Sequence, residues 1–408
     1  MKEVLYVLPS GWEWEQLGDV VVKTENLNPL KNGEQLWTYI DISSVDRDRF
    51  IVADPKEILG KNAPSRAKKH VQLNDVIFAT TRPNLKNIAL IRNDYSSPVA
   101  STGFCVLRAN EKVLPAYLFY FSITDFVQAQ IEPFVGGASY PAITDRNLKK
   151  AHIPIPSINE QKCIVEKLDV LFTHIEKAIE HLQECVTLTD ALSQNGLDVY
   201  FADLTKSYSE LPLVKLVEVT SGYAFKSGDF TSGTGVKPIK ITNVGVNDFS
   251  ENADGFLPVE YGSKFQKFAV KTNDIVIALT RPIINGGLKV CRVPESYNGA
   301  LVNQRVAALT SSKELWLDFV YLYLQSSCTK SYVLKKSKSL NQPNLSILEL
   351  KNMTIPFPTN DDAIAKAVSD CNTLIAKARK TKIDVLAKIA LLNQLKTSII
   401  DSAFKGEL

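Results

Sequence analysis

The chain has 408 residues, of which 45% are hydrophobic and 22% are charged, and its formal net charge is +3. This composition is typical of globular proteins and excludes a wholly disordered or collagen-like chain, while the near-neutral charge neither predicts nor excludes a nucleic-acid partner. No apolar run approaches the ~18 residues of a membrane span, so no membrane contact is predicted. The six cysteines form no C-x-x-C pair, which argues against a disulfide scaffold or a zinc site and predicts a cytoplasmic protein.

The first half of the chain begins with short runs rich in β-branched residues. They predict strands at Thr38–Ile42, Val76–Thr80 and Ala89–Arg92. An amphipathic helix is predicted over Pro115–Gln130, and a loop rich in Gly, Ser and Pro leads from it to a Pro-x-Pro stop at 154–156. Strands, turns and a helix in this order predict a mixed α+β domain.

A long helix is predicted directly after this stop. Ser157-Ile-Asn-Glu160 has the spacing of a capping box, in which the two side chains bond free backbone N–H groups. Apolar or small residues then recur at the 4-3 spacing of a coiled-coil seam, at Ile164, Leu168, Leu171, Ile175, Ala178, Leu182 and Cys185.

The second half of the chain repeats the first. The segment Val71–Pro83 recurs 199 residues later as Val270–Pro282, and seven of the thirteen positions are identical. Three further blocks recur in the same order, so the chain is a tandem duplication. We therefore expect a second helix over Leu315–Leu334 and a second Pro-x-Pro stop at 356–358.

The second stop is also followed by a long helical pattern. Thr359 with Asp362 is the predicted cap, and Gly406 stands where the helix should end. Lys382 and Lys396 interrupt the apolar seam. The duplication thus predicts two globular domains, at 1–156 and 205–358, and two long helices, at 157–204 and 359–408.

Such long helices with one apolar stripe need a partner, because an isolated helix is marginal in water. A duplicated chain favours pairing of the two copies, which predicts two antiparallel helices that form a coiled coil with pseudo-two-fold symmetry. The alternative is that each helix folds back on its own globular domain.

Catalytic and metal-binding patterns are missing from the sequence. There is no H-E-x-x-H, no phosphate-binding P-loop and no G-x-S-x-G, so no catalytic residue is predicted. Asp145 with Glu160 and Lys162 loosely imitates a nuclease pattern, but Glu160 is better used in the capping box. His174 and His181 share a helix face and are interpreted as solvated, so no metal site is predicted.

Basic and amide side chains gather near the same strand and turn in both copies. Such side chains bond phosphates and base edges, so nucleic-acid binding and solvated surface loops both remain open as interpretations. Loop positions that differ between the copies, such as Tyr140 against Gln342, are candidates for reading different base pairs. The predicted DNA-binding residues are Arg66, Lys68, Lys69, Arg82, Asn84, Lys86, Ser139, Tyr140, Arg281, Lys289, Lys336, Lys338, Asn341 and Gln342.

Two segments and the duplication together carry a resemblance to a known family. The segments are Ile-Pro-Ile-Pro-Ser-Ile-Asn-Glu-Gln at 153–161 and Pro-Ser-Gly-Trp-Glu-Trp-Glu-Gln-Leu-Gly at 9–18. The chain resembles the DNA specificity subunit of type I restriction–modification systems over essentially its full length. This resemblance implies two target-recognition domains, each of which reads one half of a bipartite site on double-stranded DNA. It also implies that the two long helices form a coiled-coil spacer between the recognition domains.

The resemblance also implies the partners of the chain. A non-catalytic specificity subunit recruits two modification (methyltransferase) subunits and, for cleavage, restriction (translocase/nuclease) subunits. S-adenosylmethionine and ATP would be bound by those partners, so no cofactor is expected on this chain. Glu160 and Gln161 would contact a partner subunit, and the second junction, Pro356–Asp362, lacks this pair.

Two other functions remain as alternatives. One is a duplicated scaffold protein whose helices dimerise without DNA specificity, and the other is an enzyme.

Overall fold

The structure is a computed structural model that describes residues 5–137, 139–252, 255–284, 286–337 and 344–408. The chain divides into two units. Unit 1 comprises Met1–Leu182 and Ala387–Leu408, and unit 2 comprises Gln183–Leu386. Each unit combines one globular domain with a segment of each of two long helices.

The described residues of unit 1 form short strands and three short helices. Its strands are β1 (Glu13–Gln16), β2 (Val21–Val22), β3 (Leu36–Ile40), β4 (Val45–Asp46), β5 (Ile51–Val52), β6 (Lys56–Leu59), β7 (Ala67–His70), β8 (Val76–Ala79), β9 (Ile88–Leu90), β10 (Pro98–Ser101), β11 (Phe104–Ala109) and β12 (His152–Ile155). Its short helices are α1 (Pro115–Ser122), α2 (Asp125–Ile131) and α3 (Asp145–Leu148).

The central sheet of unit 1 has the strand order β2-β11-β8-β9 and is antiparallel. All four residues of β8 are buried, because alternate side chains enter two different cores. Val76 and Phe78 pack with α1, whereas Ile77 and Ala79 pack towards a second sheet of order β6-β3-β10-β7. In that second sheet β3 and β10 are parallel.

Unit 2 begins within the first long helix, α4 (Ile158–Ser207), and ends within the second, α9 (Asp361–Phe404). Between them lie β13 (Glu210–Pro212), β14 (Glu218–Ser221), β15 (Pro238–Ile239), α5 (Tyr261–Lys264), β16 (Ile275–Ala278), β17 (Ile283–Ile284), β18 (Gly287–Leu288), β19 (Val290–Arg292), β20 (Leu301–Val302), β21 (Val306–Thr310), α6 (Glu314–Leu324), α7 (Ser327–Lys336), α8 (Ile347–Lys351) and β22 (Thr354–Pro356).

The sheets of unit 2 repeat those of unit 1. The central sheet has the order β14-β21-β16-β19, and β15 pairs in parallel with β20 as β3 does with β10. Each Pro-x-Pro segment begins within an antiparallel strand that has a single partner, β12 with β1 and β22 with β13. A strand with one partner tolerates proline, because only one of its edges needs N–H donors. These elements confirm the predicted duplicated α+β fold.

The single helix predicted in each globular domain is wrong in detail, since the structure has two. The breaks occur at Thr124 in unit 1 and at Ser326 in unit 2. Each side-chain oxygen accepts a hydrogen bond from the backbone N–H three residues later, at 3.2 and 3.4 Å, and thereby caps the next helix. Ser and Thr favour such caps because they offer the backbone an alternative to the helical hydrogen bond.

The long helices run antiparallel within each unit. In unit 1 Lys167 Nζ donates to the Leu408 carbonyl at 3.0 Å, and Glu176 pairs with Lys396 at 3.0 Å. Residues further along α4 therefore contact residues that come earlier in the C-terminal segment, as antiparallel packing requires. In unit 2 Lys382 pairs with Asp190 at 2.6 Å. The two lysines that interrupt the predicted seam therefore form ion pairs between the helices.

The predicted seam and caps hold only in part. Ile164 and Leu168 are buried in the globular core of unit 1, so this part of α4 does pack on its own domain. Leu171 and Cys185 are exposed, and Phe172 is buried instead. Helix α9 is capped by Asn360 rather than Thr359, since Asn360 Oδ1 accepts from the Ala363 N–H at 2.7 Å. In the part of the chain that is described, no helix is long and apolar enough for a membrane span.

Candidate nucleic-acid interface

The same turn follows the central strand of each unit. After β8 and after β16 the chain reads Thr-Arg-Pro, and both arginines adopt the left-handed conformation, with φ of 49° at Arg82 and 46° at Arg281. Thr81 is bridged to Ala142 in unit 1, and Thr280 is bridged in the same way to the loop before α8. Both arginine side chains are exposed. The fold thus presents one arginine at the end of each central strand.

The duplicated Asn-Asp pair has a different role, because it shapes the turn that enters the central strand. Asn74 and Asn273 both have φ of 70°, which asparagine tolerates better than most residues. Asp75 accepts from the backbone N–H three residues earlier at 2.7 Å, and Asp274 does the same at 2.6 Å. Both aspartates are buried. The shape of the turn therefore explains why this pair recurs in both units, without a role in ligand binding.

The two aspartates differ in their charge partners. Asp75 receives two hydrogen bonds from Arg108, both at 2.8 Å, which raise the pKa of that guanidinium further. Within the described residues no arginine pairs with Asp274, and burial raises the pKa of its carboxyl. Arg292 of unit 2 instead pairs with Asp318.

Several of the predicted residues lie together around the Arg82 turn. The guanidinium of Arg82 is 5.5 Å from the ring centroid of Tyr140, which is 77% exposed. Arg82 N–H also donates to the Pro141 carbonyl at 2.7 Å, which fixes the loop beside the turn. Backbone hydrogen bonds from Thr80 to Gly103 and from Thr102 to Arg66 place the Arg66 segment next to them. We call these exposed residues the Arg82 face: Arg66, Arg82, Asn84, Ser139 and Tyr140.

Three predicted lysines have internal partners instead. Lys69 pairs with Asp145 at 2.8 Å. Lys86 donates to the Ile123 carbonyl at 3.0 Å and to Asp125 at 2.6 Å. Lys289 donates to the Ile241 carbonyl at 2.9 Å, and burial lowers its pKa. These lysines would have to break internal contacts to reach a phosphate, whereas Lys68 on β7 is exposed.

The predicted residues of unit 2 are only partly placed. Arg281 is exposed, and Lys336 is half-buried at the end of α7, where its ammonium is 5.9 Å from the Tyr332 ring. Lys338, Asn341 and Gln342 lie outside the described residues. Arg305 lies outside the predicted set of DNA-binding residues, although it is exposed. Its carbonyl accepts from the N–H of Leu279, two residues before Arg281, at 2.9 Å.

The predicted partner-binding pair at the first junction has internal contacts. Glu160 accepts from the Trp12 indole N–H at 3.0 Å instead of completing the capping box, although Ser157 does cap the helix. Gln161 is 0% exposed. Its amide accepts from the Leu114 N–H at 2.8 Å and donates to two backbone carbonyls. This burial speaks against a partner contact by Gln161, because the side chain presents no surface.

The second junction lacks the Glu-Gln pair but has a similar indole contact. Trp316 Nε1 donates to Asp361 Oδ1 at 3.1 Å, at the first residue of α9. A carboxylate in the first helical turn also complements the helix dipole. Each long helix therefore begins with a carboxylate that accepts from a tryptophan of its own unit.

Across the described ranges, no group of three or more His, Cys, Asp or Glu side chains is arranged to hold a metal ion. Asp145, part of the loose nuclease pattern, is the ion-pair partner of Lys69.

A single family model matches both units of the chain. A family model described as "Type I restriction modification DNA specificity domain" matches residues 9–184 and again residues 208–387. The chain is 27% identical over 418 residues to the type I restriction enzyme MjaVIII specificity subunit of Methanocaldococcus jannaschii, with 96% of this chain and 94% of the relative covered. It is 21% identical over 429 residues to the EcoKI specificity subunit of Escherichia coli K12, with coverage of 98% and 90%.

Two solved structures are similar over nearly the whole chain. The HsdS subunit of Thermoanaerobacter tengcongensis is 30% identical, with a TM-score of 0.60 and 100% of both chains covered. A chain from work described as "Structural basis underlying complex assembly and conformational transition of the type I R-M system" is also 30% identical, with a TM-score of 0.80 and coverage of 99% and 100%.

Proposed function

The chain belongs to the family of type I restriction–modification DNA specificity subunits, and from this membership we propose that each unit reads one half of a bipartite, asymmetric site on double-stranded DNA. The observation that supports the proposal is the arginine turn, which is built twice with the same backbone geometry and an exposed guanidinium. An exposed arginine suits phosphate binding because its donors are free to form charge-assisted hydrogen bonds.

In unit 1 the proposed DNA contacts are the Arg82 face and Lys68. An exposed tyrosine beside an exposed arginine combines a phosphate donor with an amphipathic ring that can approach a base edge. In unit 2 the proposed contacts include Arg281 and Arg305. Lys69, Lys86 and Lys289 are better explained as internal contacts of the fold.

We further propose the predicted division into recognition domains 1–156 and 205–358 and spacer helices 157–204 and 359–408. The helices then set the length of unspecified DNA between the half-sites. The chain itself is proposed to be non-catalytic, with two modification subunits and the restriction subunits as its partners. One similar structure concerns the assembly of such a complex. Methyl donor and ATP would be bound by those partners. A contact of Glu160 with a partner and a cytoplasmic location stay predictions.

The test is a binding assay with the site that the host methylates. Sequencing of methylated bases in the host genome would supply both half-sites. A duplex that carries the motif should stay bound at a salt concentration where a scrambled duplex is released, since specific binding exceeds non-specific binding by at least ~10³-fold. Equal release of both duplexes would instead favour the scaffold alternative.

A further inference from the structure

A short segment of unit 2 occupies the place of the basic run of unit 1, although the two differ in composition. Lys264–Ala269 follows Ser65–His70 at the same offset of 199 residues. Ala269 is bridged to the first residue of β20, and His70 pairs with the equivalent residue of β10. The structure therefore confirms the equivalence. Lys267 corresponds to Lys68, and both are exposed.

The rest of the unit 2 segment is aromatic rather than basic. Phe265 and Phe268 stand where unit 1 has Arg66 and Lys69. They belong to a cluster that we call the aromatic platform: Tyr223, Phe225, Tyr261, Phe265 and Phe268. Within it the Tyr223 ring centroid is 4.5 Å from that of Phe265 and 5.3 Å from that of Phe268.

The platform supports two lysines. The Lys264 ammonium is 5.5 Å from the ring centroids of both Tyr261 and Phe265. The Lys267 ammonium is 4.9 Å from the ring of Phe268. Such cation–π contacts are worth roughly 0.5–1 kcal/mol at exposed sites and restrict the side chains. Both lysines are exposed, and within the described part of the chain neither forms an ion pair with a carboxylate.

The platform is connected to the arginine turn of the same unit. The backbone carbonyl of Tyr223 accepts from the Gln304 N–H at 2.9 Å, and the carbonyl of the next residue, Arg305, accepts from the Leu279 N–H at 2.9 Å. Leu279 lies two residues before Arg281. The side chains of Tyr223, Gln304, Arg305 and Arg281 are all exposed. A continuous set of contacts therefore links the two lysines to Arg281.

We propose that Lys264 and Lys267, held on the aromatic platform, bind backbone phosphates of the half-site that unit 2 reads. This inference rests on the proposed function and assigns residues that the sequence pattern did not select. The two lysines differ from Lys69, Lys86 and Lys289 because they need not break an ion pair or a carbonyl contact to bind a phosphate. The equivalent segments of the two units thus hold their basic side chains differently. In unit 1 the segment is a strand with an ion pair, and in unit 2 it lies on the aromatic platform.

The test is the double substitution Lys264→Ala/Lys267→Ala in the full chain. Binding is measured to a mixed-sequence duplex and to the duplex with the methylated motif, over a range of salt concentrations. The slope of log affinity against log salt should fall by about two, because each phosphate contact contributes about 0.9. Both duplexes should be affected alike, since phosphates carry no base sequence. The charge-preserving pair Lys264→Arg/Lys267→Arg should retain the slope.

Lys313→Ala is the matched control. Lys313 is also an exposed lysine over an aromatic ring, 4.0 Å from the Trp316 centroid. Lys313 lies beyond the C-terminal end of β21, whereas Arg305 directly precedes the N-terminal end of this strand. The strand spans about 17 Å at the usual rise per residue and separates the two positions. Its substitution should leave the slope unchanged.

Two results would overturn the inference. One is an unchanged slope in the double variant, and the other is an equal fall in the Lys313 control. The failure of the proposed function has a different signature, because the wild-type chain would then show no preference for its own motif. Unchanged thermal unfolding of the double variant, together with rescue by arginine, separates lost contacts from lost folding.

Discussion

Arg281→Gly should make the protein more stable and bind DNA more weakly at the same time. Arg281 has φ of 46°, a conformation that costs an L-residue about 1–2 kcal/mol and glycine almost nothing. Glycine also has more conformational freedom in the unfolded chain, which reduces this stabilisation by about 0.5–1 kcal/mol. The net stabilisation is about 0.5–1 kcal/mol, or a rise of roughly 1–4 °C in the thermal midpoint for a unit of this size.

The same substitution removes the guanidinium that we propose to contact phosphate. Affinity should fall for all sequences, and the slope of log affinity against log salt should fall by about one. Arg281→Ala is the control, since it removes the same contact but keeps the left-handed strain. It should bind as weakly as the glycine variant without the rise in midpoint. Differential scanning calorimetry and a salt titration of binding measure the two effects separately.

Arg82 provides a second comparison within the same chain. It has the same conformation, but its guanidinium also lies 5.5 Å from the Tyr140 ring. Loss of that contact costs about 0.5–1 kcal/mol, so Arg82→Gly should leave stability nearly unchanged. The reasoning is refuted if Arg281→Gly is less stable than Arg281→Ala, or if neither glycine variant changes the salt slope.

Four further predictions follow from the same structure. Asp75→Asn should destabilise unit 1 by about 3 kcal/mol in denaturant unfolding, because Arg108 loses a buried partner; a loss below 1 kcal/mol would contradict this. Asp274→Asn should raise the thermal unfolding midpoint at pH 7. Burial raises the pKa of Asp274, so its contribution to stability decreases as pH rises from the unfolded-state pKa through the folded-state pKa, and the variant should lack that decrease. Gln161→Ala should cost about 2–3 kcal/mol, since it leaves buried backbone groups unpaired, and a stable variant that fails to bind partner subunits would point to a surface role instead. Tyr140→Ala should relax discrimination in one half-site by roughly 1–3 kcal/mol at one base pair, whereas an equal effect in both half-sites would contradict the assignment.

The spacer role of the helices is tested by insertion. Four residues added at matched positions of both long helices add about 6 Å, which corresponds to roughly two base pairs. The methylated motif should keep its half-sites and gain one or two unspecified pairs. Insertion into one helix alone should destabilise the chain, because it breaks the ion pairs at Glu176 and Asp190. An unchanged spacer after the double insertion would show that the helices do not set the distance between the half-sites.

Features that depend on neighbouring residues were predictable from the sequence. The duplication, the buried central strands and the two long helices are all present in the structure, because apolar periodicity and turn residues act over a few positions. The helix breaks at Thr124 and Ser326 were missed, although the signal was there. Both are cap-forming residues at equivalent positions of the two copies, but a cap competes with continued apolar periodicity, and the sequence alone does not decide which prevails.

The sequence by itself determined which kinds of side chain are available for DNA, but not which of them are free. Lys68 and Lys69 are adjacent in a single basic run, yet only Lys69 meets Asp145, which is 76 residues away. Gln161 was predicted to contact a partner subunit, but its amide bonds the backbone of Leu114 and Lys112, which are 47 and 49 residues away. Only the tertiary structure supplies these internal partners, and they matter because the free energy of a charged or polar group depends on the partners and the burial that the folded chain brings to it.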